Sequence, residues 1–547
     1  MKKRTKILFA IFTVVVSTVC AAFLFDNYFE KSKNLDIFTS VYKELSSSYV
    51  DDIDSGELMK TAIDAMLESL DPYTTYIPES EIEDFRFQTT GEYGGIGAMI
   101  SKVDEYVVIT EPYEGFPAQK AGLIAGDKIL KINGQSAKGK NTEEVSKILK
   151  GQPNTPVTIL VERAITKEEL RFKFNREQVT VASVPYSEYI EDGIGYIKLN
   201  SFTRNCSNDV KESILKLKKE QKLNGLILDL RGNGGGLLNE SVEIVNLFVD
   251  KGEEVVRTKG KIKSWDKSYK ATKKALDKDV PLVVLINSSS ASASEIVSGA
   301  VQDLDRGVII GQRSFGKGLV QQTKPLPYNA QLKLTVAKYY IPSGRCIQAL
   351  DYSQRNSDGS VGKIPDSLMT EYKTRNGRIV KDGGGILPDI LIEKDNFNQI
   401  VASLYRERLF FDYASLYHNN VNKLSRNFVF SNNDFSDFKL FLKDKEYKYS
   451  TNTEEALQKL KEDALKEEYF DGISDAYSSL VDLLEKNKSD DLQKSQAQVK
   501  EILTGEIMSR YYYQKGRIIA SLNFDDEVKK AIEILKDKDS YNKLLLK

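Results

Sequence analysis

Apolar residues recur every three or four positions between residues 33 and 70. The stretches IFTSVYKELSSSYV and GELMKTAIDAMLESL both carry this spacing, which predicts two amphipathic helices. Asp71-Pro72 closes the second. From 88 to about 176 the period shortens. YVVIT and KILKI read as strands, and Asn133-Gly134 reads as a tight turn. NTEEVSKILKG reads as a short helix with Asn141 as its cap, and PVTILVER and ELRFKFNR as paired closing strands. From 185 to 394 apolar runs alternate with helix-period segments. GIGYIKL precedes CSNDVKESILKLKKEQ, and GLILDL precedes a glycine-rich loop and a helix. PLVVLI precedes SEIVSGAVQDL, and GVIIGQ follows. That alternation predicts an α/β domain with at least partly parallel strands. Beyond 395 the pattern is helical, with Ile473, Ala476, Tyr477, Leu480, Leu483 and Leu484 on one face.

Composition changes this picture at the N-terminus. Lys2, Lys3, Arg4 and Lys6 precede an uncharged run from Ile7 to Phe25, 19 residues long. That length is just enough to cross a bilayer. We read an uncleaved signal anchor, with a cleaved signal peptide as the alternative. The basic flank places residues 27 onward outside the cytoplasm. The expected location is therefore outside the cytoplasm, either anchored in a membrane or released from it.

Of 547 residues, 78 are Lys or Arg and 79 are Asp or Glu, for a net charge of -1. This balance gives no sign of a nucleic-acid partner. Cys206 and Cys346 are the cysteines of the exported part; the compartment permits their pairing, but they lie far apart in sequence. Clustered Cys and His ligands for a metal are absent, so no metal or other cofactor is expected.

The chemistry centres on LINSSSASASEIVSGA, residues 285–300. Ser288, Ser289, Ser290, Ser292, Ser294 and Ser298 all fall here, between a strand and a helix. Such a turn is a natural active-site position in an α/β domain, and the helix dipole there favours developing negative charge. A competing reading is purely structural, because Ser292 and Glu295 have the spacing of a capping box. The chain has one histidine, His418, in a late helical segment. A serine nucleophile here therefore needs another base. GQRSFGKGLVQQ places Lys317 between two glycines, which can hold an amine in one place. Burial can lower a lysine pKa from about 10.4 and make the amine a general base.

Together these residues resemble the C-terminal processing peptidases, also called carboxyl-terminal or tail-specific proteases. These are serine peptidases of family S41 with an inserted PDZ domain. The matching phrases are SASASEIVSGAVQD, FGKGLVQ, LDLRGNGGGLL, YYIPSGR and GGGILPDI. Within 88–176 the match is carried by Ala121-Gly122-Leu123, Gly126-Asp127 and Ile132-Asn133-Gly134. The resemblance covers about residues 33 to 394. It implies a multidomain α/β chain with a helical N-terminal segment, a PDZ β-sandwich or barrel-like module, a crotonase/ClpP-like peptidase core and an all-α C-terminal domain. The expected boundaries are 1–26 for the signal segment, 27–85, 86–176, 177–394 and 395–547.

The resemblance also implies roles. Ser292 would be the nucleophile, Lys317, 25 residues later, the general base, and Gln321 the residue that orients the lysine. The oxyanion hole would use backbone N–H groups of Ala293 and of Gly235 or Gly236. Gly94, Gly95, Ile96 and Gly97 would receive the C-terminus of a peptide that adds a strand to the sheet edge. Partners would be proteins or peptides with exposed apolar C-termini, the membrane through the N-terminal span, and a second copy through the terminal helices.

Some positions depart from the family's pattern. RGNGGG has Gly232 and Gly234 where Asn and Pro are typical. Ser314 replaces threonine, Cys346 replaces serine, and Lys150 replaces an arginine after the PDZ helix. A lysine cannot reproduce the planar fork of arginine, so gating by the PDZ module is less firmly implied than peptidase activity. Two other functions compete, a catalytically silent PDZ scaffold that binds protein C-termini and an acyl-CoA enzyme on a crotonase-like core. The PDZ module argues against the second.

Overall fold

The computed structural model describes residues 29–356, 358–393 and 397–546. The expected signal segment, including the run from 7 to 25, lies outside the described residues. Among those described, no helix is long and apolar enough to cross a membrane. Contacts divide the chain into two units. One holds residues up to 79 together with 321–335, and the other holds 80–320 with 336–547.

In the first unit, residues 29–48 form one helix and Ser55–Glu68 a second, as the periodicity predicts. Asp54 caps the second helix by accepting the N–H groups of Gly56 and Glu57, which satisfies two donors that have no partner inside the helix. Asp71 accepts the N–H groups of Tyr73 and Thr74, and strand Thr75–Ile77 pairs with residues 331–333.

The second unit is built on a six-stranded sheet in the order Tyr186–Glu191, Ile194–Lys198, Gly225–Asp229, Leu282–Ile286, Val308–Gly311, Ile390–Leu391. The first pair is antiparallel and the rest are parallel. Gly225–Asp229, Leu282–Ile286 and Val308–Gly311 are buried at every position, as parallel strands covered on both faces must be. Helices Cys206–Glu220, Leu238–Asn246 and Ala293–Asp303 cover one face through Val210, Ile214, Val245 and Val297.

The other face is covered from the far end of the chain. Helices Asp526–Lys536 and Lys538–Leu544 place Val528, Ala531, Ile534 and Tyr541 against Ile227, Val283 and Leu285. The sequence pattern groups these two helices with the C-terminal domain, whereas their packing makes them a layer of the α/β core.

The PDZ-like module is an antiparallel sheet in the order Ala98–Val103, Tyr106–Pro112, Lys128–Ile132, Pro156–Glu162, Glu169–Asn175. Asn133 and Gly134 both have positive φ, 50° and 85°, as a tight hairpin turn of the Asn-Gly kind requires. Helix Thr142–Leu149 begins with a capping box between Asn141 and Glu144. In the C-terminal domain, Leu404, Phe410, Phe438, Leu503 and Ile507 form a separate core. The apolar face traced by Ile473 to Leu484 does lie on one helix, Phe470–Lys488. That helix has no buried residue, however, and Leu483 is 57% exposed. Cys206 and Cys346 are both free thiols.

Candidate active site

The serine-rich turn joins strand Leu282–Ile286 to helix Ala293–Asp303. Its serines are not equivalent. Ser288 and Ser289 are exposed. Ser290, Ser294 and Ser298 are fully buried, and each hydroxyl donates to a backbone carbonyl, of Leu230, Asn233 and Ser294 respectively. Those three hold the turn together. Ser292 is half-buried and has φ 57° and ψ -111°. A non-glycine residue in such a region stores about 1–3 kcal/mol of strain, and such residues cluster at functional sites.

The lysine loop is knitted to this turn by backbone hydrogen bonds. Phe315 N–H donates to Ser290 O at 3.0 Å. The Glu295 carboxylate does the rest. Its Oε2 accepts the N–H of Ser292 at 2.8 Å and of Lys317 at 2.9 Å. Its Oε1 accepts the Ser314 hydroxyl at 2.6 Å and the Gly316 N–H at 2.7 Å. Glu295 is completely buried. Burial pushes its pKa up, and these four donors pull against that shift. The glycines beside Lys317 are required by close approach. A Cβ on Gly316, which has φ 88°, would lie 2.4 Å from that of Ala349, and one on Gly318 would lie 2.9 Å from the Gln348 N.

The glycine-rich loop lies directly over the serine. A Cβ on Gly235 would sit 2.9 Å from the Ser292 Cβ and 3.0 Å from the Ala293 N. The two candidate glycine donors differ. Gly235 N–H donates to Asn233 Oδ1 at 2.9 Å. Gly236 forms a parallel bridge with Phe202 that uses Gly235 O and Leu237 N, which leaves its own N–H out of the bridge. Among the described residues nothing accepts the N–H of Gly236 or of Ala293. Gly232 has φ 74° and Gly236 φ 144°, so the loop follows a path that favours glycine. Gly234 has no such φ and open space around it.

Gln321 belongs to the first unit. Its amide donates to Thr335 Oγ1 at 3.1 Å, and Thr335 N–H donates to Thr74 Oγ1 at 3.2 Å. His418 meets the Tyr511 ring edge to face at 4.7 Å within the C-terminal domain, so it is already engaged there.

In the PDZ-like module, Gly94 and Gly95 end strand Glu92–Gly95, paired with Glu177–Thr180. Ile96 is buried and its carbonyl accepts from Ala118, while Gly97 has φ 71°. Beside this loop runs a groove of about 140 Å³ between strand Ala98–Val103 and helix Thr142–Leu149, lined by Tyr93, Ile96, Ile100, Leu149 and Lys150. Sequence reasoning missed Glu295 as the tie between the two turns, although it had found the residue as a cap. It also missed the carboxylates of Asp525 and Glu527, which reach Arg231 beside the glycine loop.

Family models match successive parts of the chain. Peptidase family S41 matches residues 193–353, and a PDZ domain matches 108–163. The C-terminal helical domain of a probable PDZ-protease matches 400–535, and the N-terminal domain of the activating protease CtpB matches 25–80. A probable CtpA-like serine protease of Staphylococcus aureus is 40% identical over 317 residues, which cover 57% of this chain and 62% of that protein. The chain thus spans somewhat less than two thirds of that relative's length. The carboxy-terminal-processing protease of Bartonella bacilliformis is 38% identical over 321 residues, 58% of this chain and 73% of that protein. Among solved structures, a photosystem II D1 C-terminal processing protease aligns over 65% of this chain and 92% of its own, with 27% identity and a TM-score of 0.36. This chain belongs to the carboxy-terminal-processing proteases of peptidase family S41.

Proposed function

We propose that the chain is a serine endopeptidase of the cell envelope that recruits proteins by their C-termini and cleaves them through a Ser292–Lys317 pair. The observation that carries the reading is the strained, half-buried Ser292, tied to the Lys317 loop through one buried carboxylate. Lys317, as the neutral amine, takes the Ser292 hydroxyl proton while Oγ attacks the peptide carbonyl. The N–H groups of Ala293 and Gly236 receive the negative charge on the carbonyl oxygen, and the dipole of helix Ala293–Asp303 adds to them. The C–N bond then breaks, and the lysine returns the proton to the leaving amine. Water attacks the acyl-enzyme with Lys317 again as base, which frees the new C-terminus and restores Ser292. Gln321 orients the lysine in this reading. The apolar groove beside Gly94–Gly97 supports capture of an apolar C-terminus as an added strand. The run from Ile7 to Phe25 would carry the chain to the envelope.

The test is incubation of the full chain, with and without Ser292→Ala, with an unfolded protein ending in an apolar residue. Mass spectrometry follows the products. Cleavage by the parent alone is expected. Equal cleavage by the two would contradict the assignment of Ser292, and cleavage by neither would favour the silent scaffold.

A further inference from the structure

Arg231 opens the glycine-rich loop, and its side chain is enclosed by carboxylates from two ends of the chain. Its Nε lies 3.1 and 3.2 Å from the two Asp229 oxygens, and Nη2 lies 2.6 Å from Oδ2. Nη1 donates to Asp525 Oδ1 at 2.9 Å and also to Glu527. The same Asp525 oxygen accepts the N–H of Val528 at 3.0 Å and so caps helix Asp526–Lys536. Asp229 is further held by the Tyr196 hydroxyl at 2.6 Å and the Lys198 ammonium at 3.1 Å. Lys198 also donates to Arg231 O at 2.7 Å. The cluster is mostly hidden from water, with side-chain exposures of 1% for Asp229, 13% for Arg231, 11% for Asp525 and 17% for Glu527.

The backbone directly beyond Arg231 is thinly packed. Added Cβ atoms on Gly232 and Gly234 would meet nothing within 4 Å. Its other anchors are hydrogen bonds, from Gly232 N–H to Asn287 Oδ1 at 3.0 Å, from Asn233 Nδ2 to Leu199 O at 2.9 Å, and into Asn233 O from the Ser294 hydroxyl at 2.8 Å and the Ala291 N–H at 3.1 Å, with the Phe202 bridge at its far end. Around Gly232 and Gly234 hydrogen bonds rather than packing hold the backbone, and those of Arg231 stand at its start. The helix that brings Asp525 and Glu527 is itself firmly seated, since Val528, Ala531, Ile534 and Leu535 pack on the sheet.

We propose that Asp525 and Glu527 are positioning residues for the reaction, which hold Arg231 and through it the loop that carries the Gly236 N–H over Ser292. The C-terminal segment thus completes the active site from 294 residues away in sequence. This inference rests on the reading of Ser292 as the nucleophile. Without the two carboxylates, a largely buried guanidinium loses two of its charged partners, and the side chain gains by turning toward water. The loop then loses its first anchor. A preorganised donor that must reorganise during the reaction stabilises the oxyanion less. Substrate capture in the PDZ groove is untouched.

The test uses the full chain as the parent and as Ser292→Ala, Asp525→Asn, Glu527→Gln, the double variant Asp525→Asn/Glu527→Gln, and Lys529→Gln as a control on the exposed side of the same helix. A fluorophosphonate that reacts with activated serine hydroxyls counts the competent sites, and kcat and KM are expressed per counted site. The double variant should lose at least tenfold in kcat per site and phosphonylate more slowly. Its KM should stay within threefold of the parent, and Lys529→Gln should match the parent. A purely structural role would reduce the number of competent sites while leaving kcat per site unchanged, and that result would overturn the proposal. If the double variant yields no folded protein, Glu527→Gln alone carries the same test, because it keeps the Asp525 cap. A parent whose turnover is indifferent to Ser292→Ala would sink the functional reading and this inference with it. A Ser292-dependent parent with a normal Glu527→Gln variant would sink this inference only.

Discussion

At the scale of single residues, Glu295 shows how structure and chemistry can share one side chain. In the sequence, Ser292-Ala293-Ser294-Glu295 by itself fits a helix cap better than a nucleophile. In the structure the Glu295 carboxylate accepts the Ser292 N–H, as the capping reading expects, and it also accepts donors from the lysine loop. Those partners lie 19 to 22 residues away, a closure that no local pattern can express. Replacement of Glu295 by Gln keeps its size but turns one acceptor into a donor. At least one buried donor then lacks an acceptor, at about 1–3 kcal/mol each. Glu295→Gln should lower both the unfolding temperature and kcat, the latter by at least tenfold per competent site. Parent-like kcat would show that the tie is dispensable. Which serine stands apart was legible only from the family phrase, because the commitment of Ser290, Ser294 and Ser298 to backbone carbonyls depends on the fold.

At the scale of elements, the PDZ-like module was the most readable part of the chain. Asn133-Gly134, the Asn141 cap and the strand runs each carry a local physical signal, and each forms as the signal predicts. The surroundings of Lys150 were not readable, since they involve a helix outside the module. Lys150 follows the helix that borders the groove, and Gly151 N–H donates to Gly94 O at 3.0 Å, which sets Lys150 beside the glycine loop. Its ammonium pairs with Asp84 at 2.5 Å, on helix Ile82–Thr90, and lies 5.6 Å over the Tyr93 ring. A peptide C-terminal carboxylate that enters the groove competes with Asp84 for this cation. The pair is partly exposed, so its contribution is about 0.5–1 kcal/mol. Asp84→Asn should therefore tighten binding of a peptide with a free C-terminus by about two- to fivefold. The amidated peptide should be unaffected. Calorimetric titration checks this, and an equal effect on both peptides would remove Lys150 from carboxylate recognition.

At the scale of the whole chain, the sequence conveyed the order of parts better than their packing. Periodicity marks residues 395–547 as helical, and among the described residues the elements from Gln399 to Leu544 are all helices. It cannot show that the last two helices cover one face of the α/β sheet, because an amphipathic helix does not announce its partner. Nor does it show how Arg517 bridges Glu111 of the PDZ-like module, at 2.9 Å, to Glu506 of the helical domain, at 2.6 Å. Near this junction lies the single histidine. Burial, and then the charge of Arg510, lower the His418 pKa below its ordinary value near 6.5. The folded state therefore binds this proton less readily than the unfolded state. By linkage, His418 leaves stability undiminished above about pH 6.5 and subtracts from it as pH falls from there toward the folded-state pKa. Buried carboxylates with raised pKa values, such as Asp412 and Glu527, titrate in the opposite sense, so the informative quantity is a difference. Between pH 7.5 and 5.5 the parent should lose more unfolding temperature than His418→Phe, which keeps a ring beside Tyr511. Identical slopes would contradict the assignment.

Activation of the strained Ser292 by the Lys317 amine is the step on which peptidase chemistry here depends. Its most direct measurement is reaction of the full chain with a fluorophosphonate, followed by peptide mapping, for the parent and for Lys317→Ala. Phosphonylation is expected at Ser292 in the parent, with its rate lowered at least a hundredfold in Lys317→Ala. A label on another serine, or the same rate at Ser292 without Lys317, would contradict it.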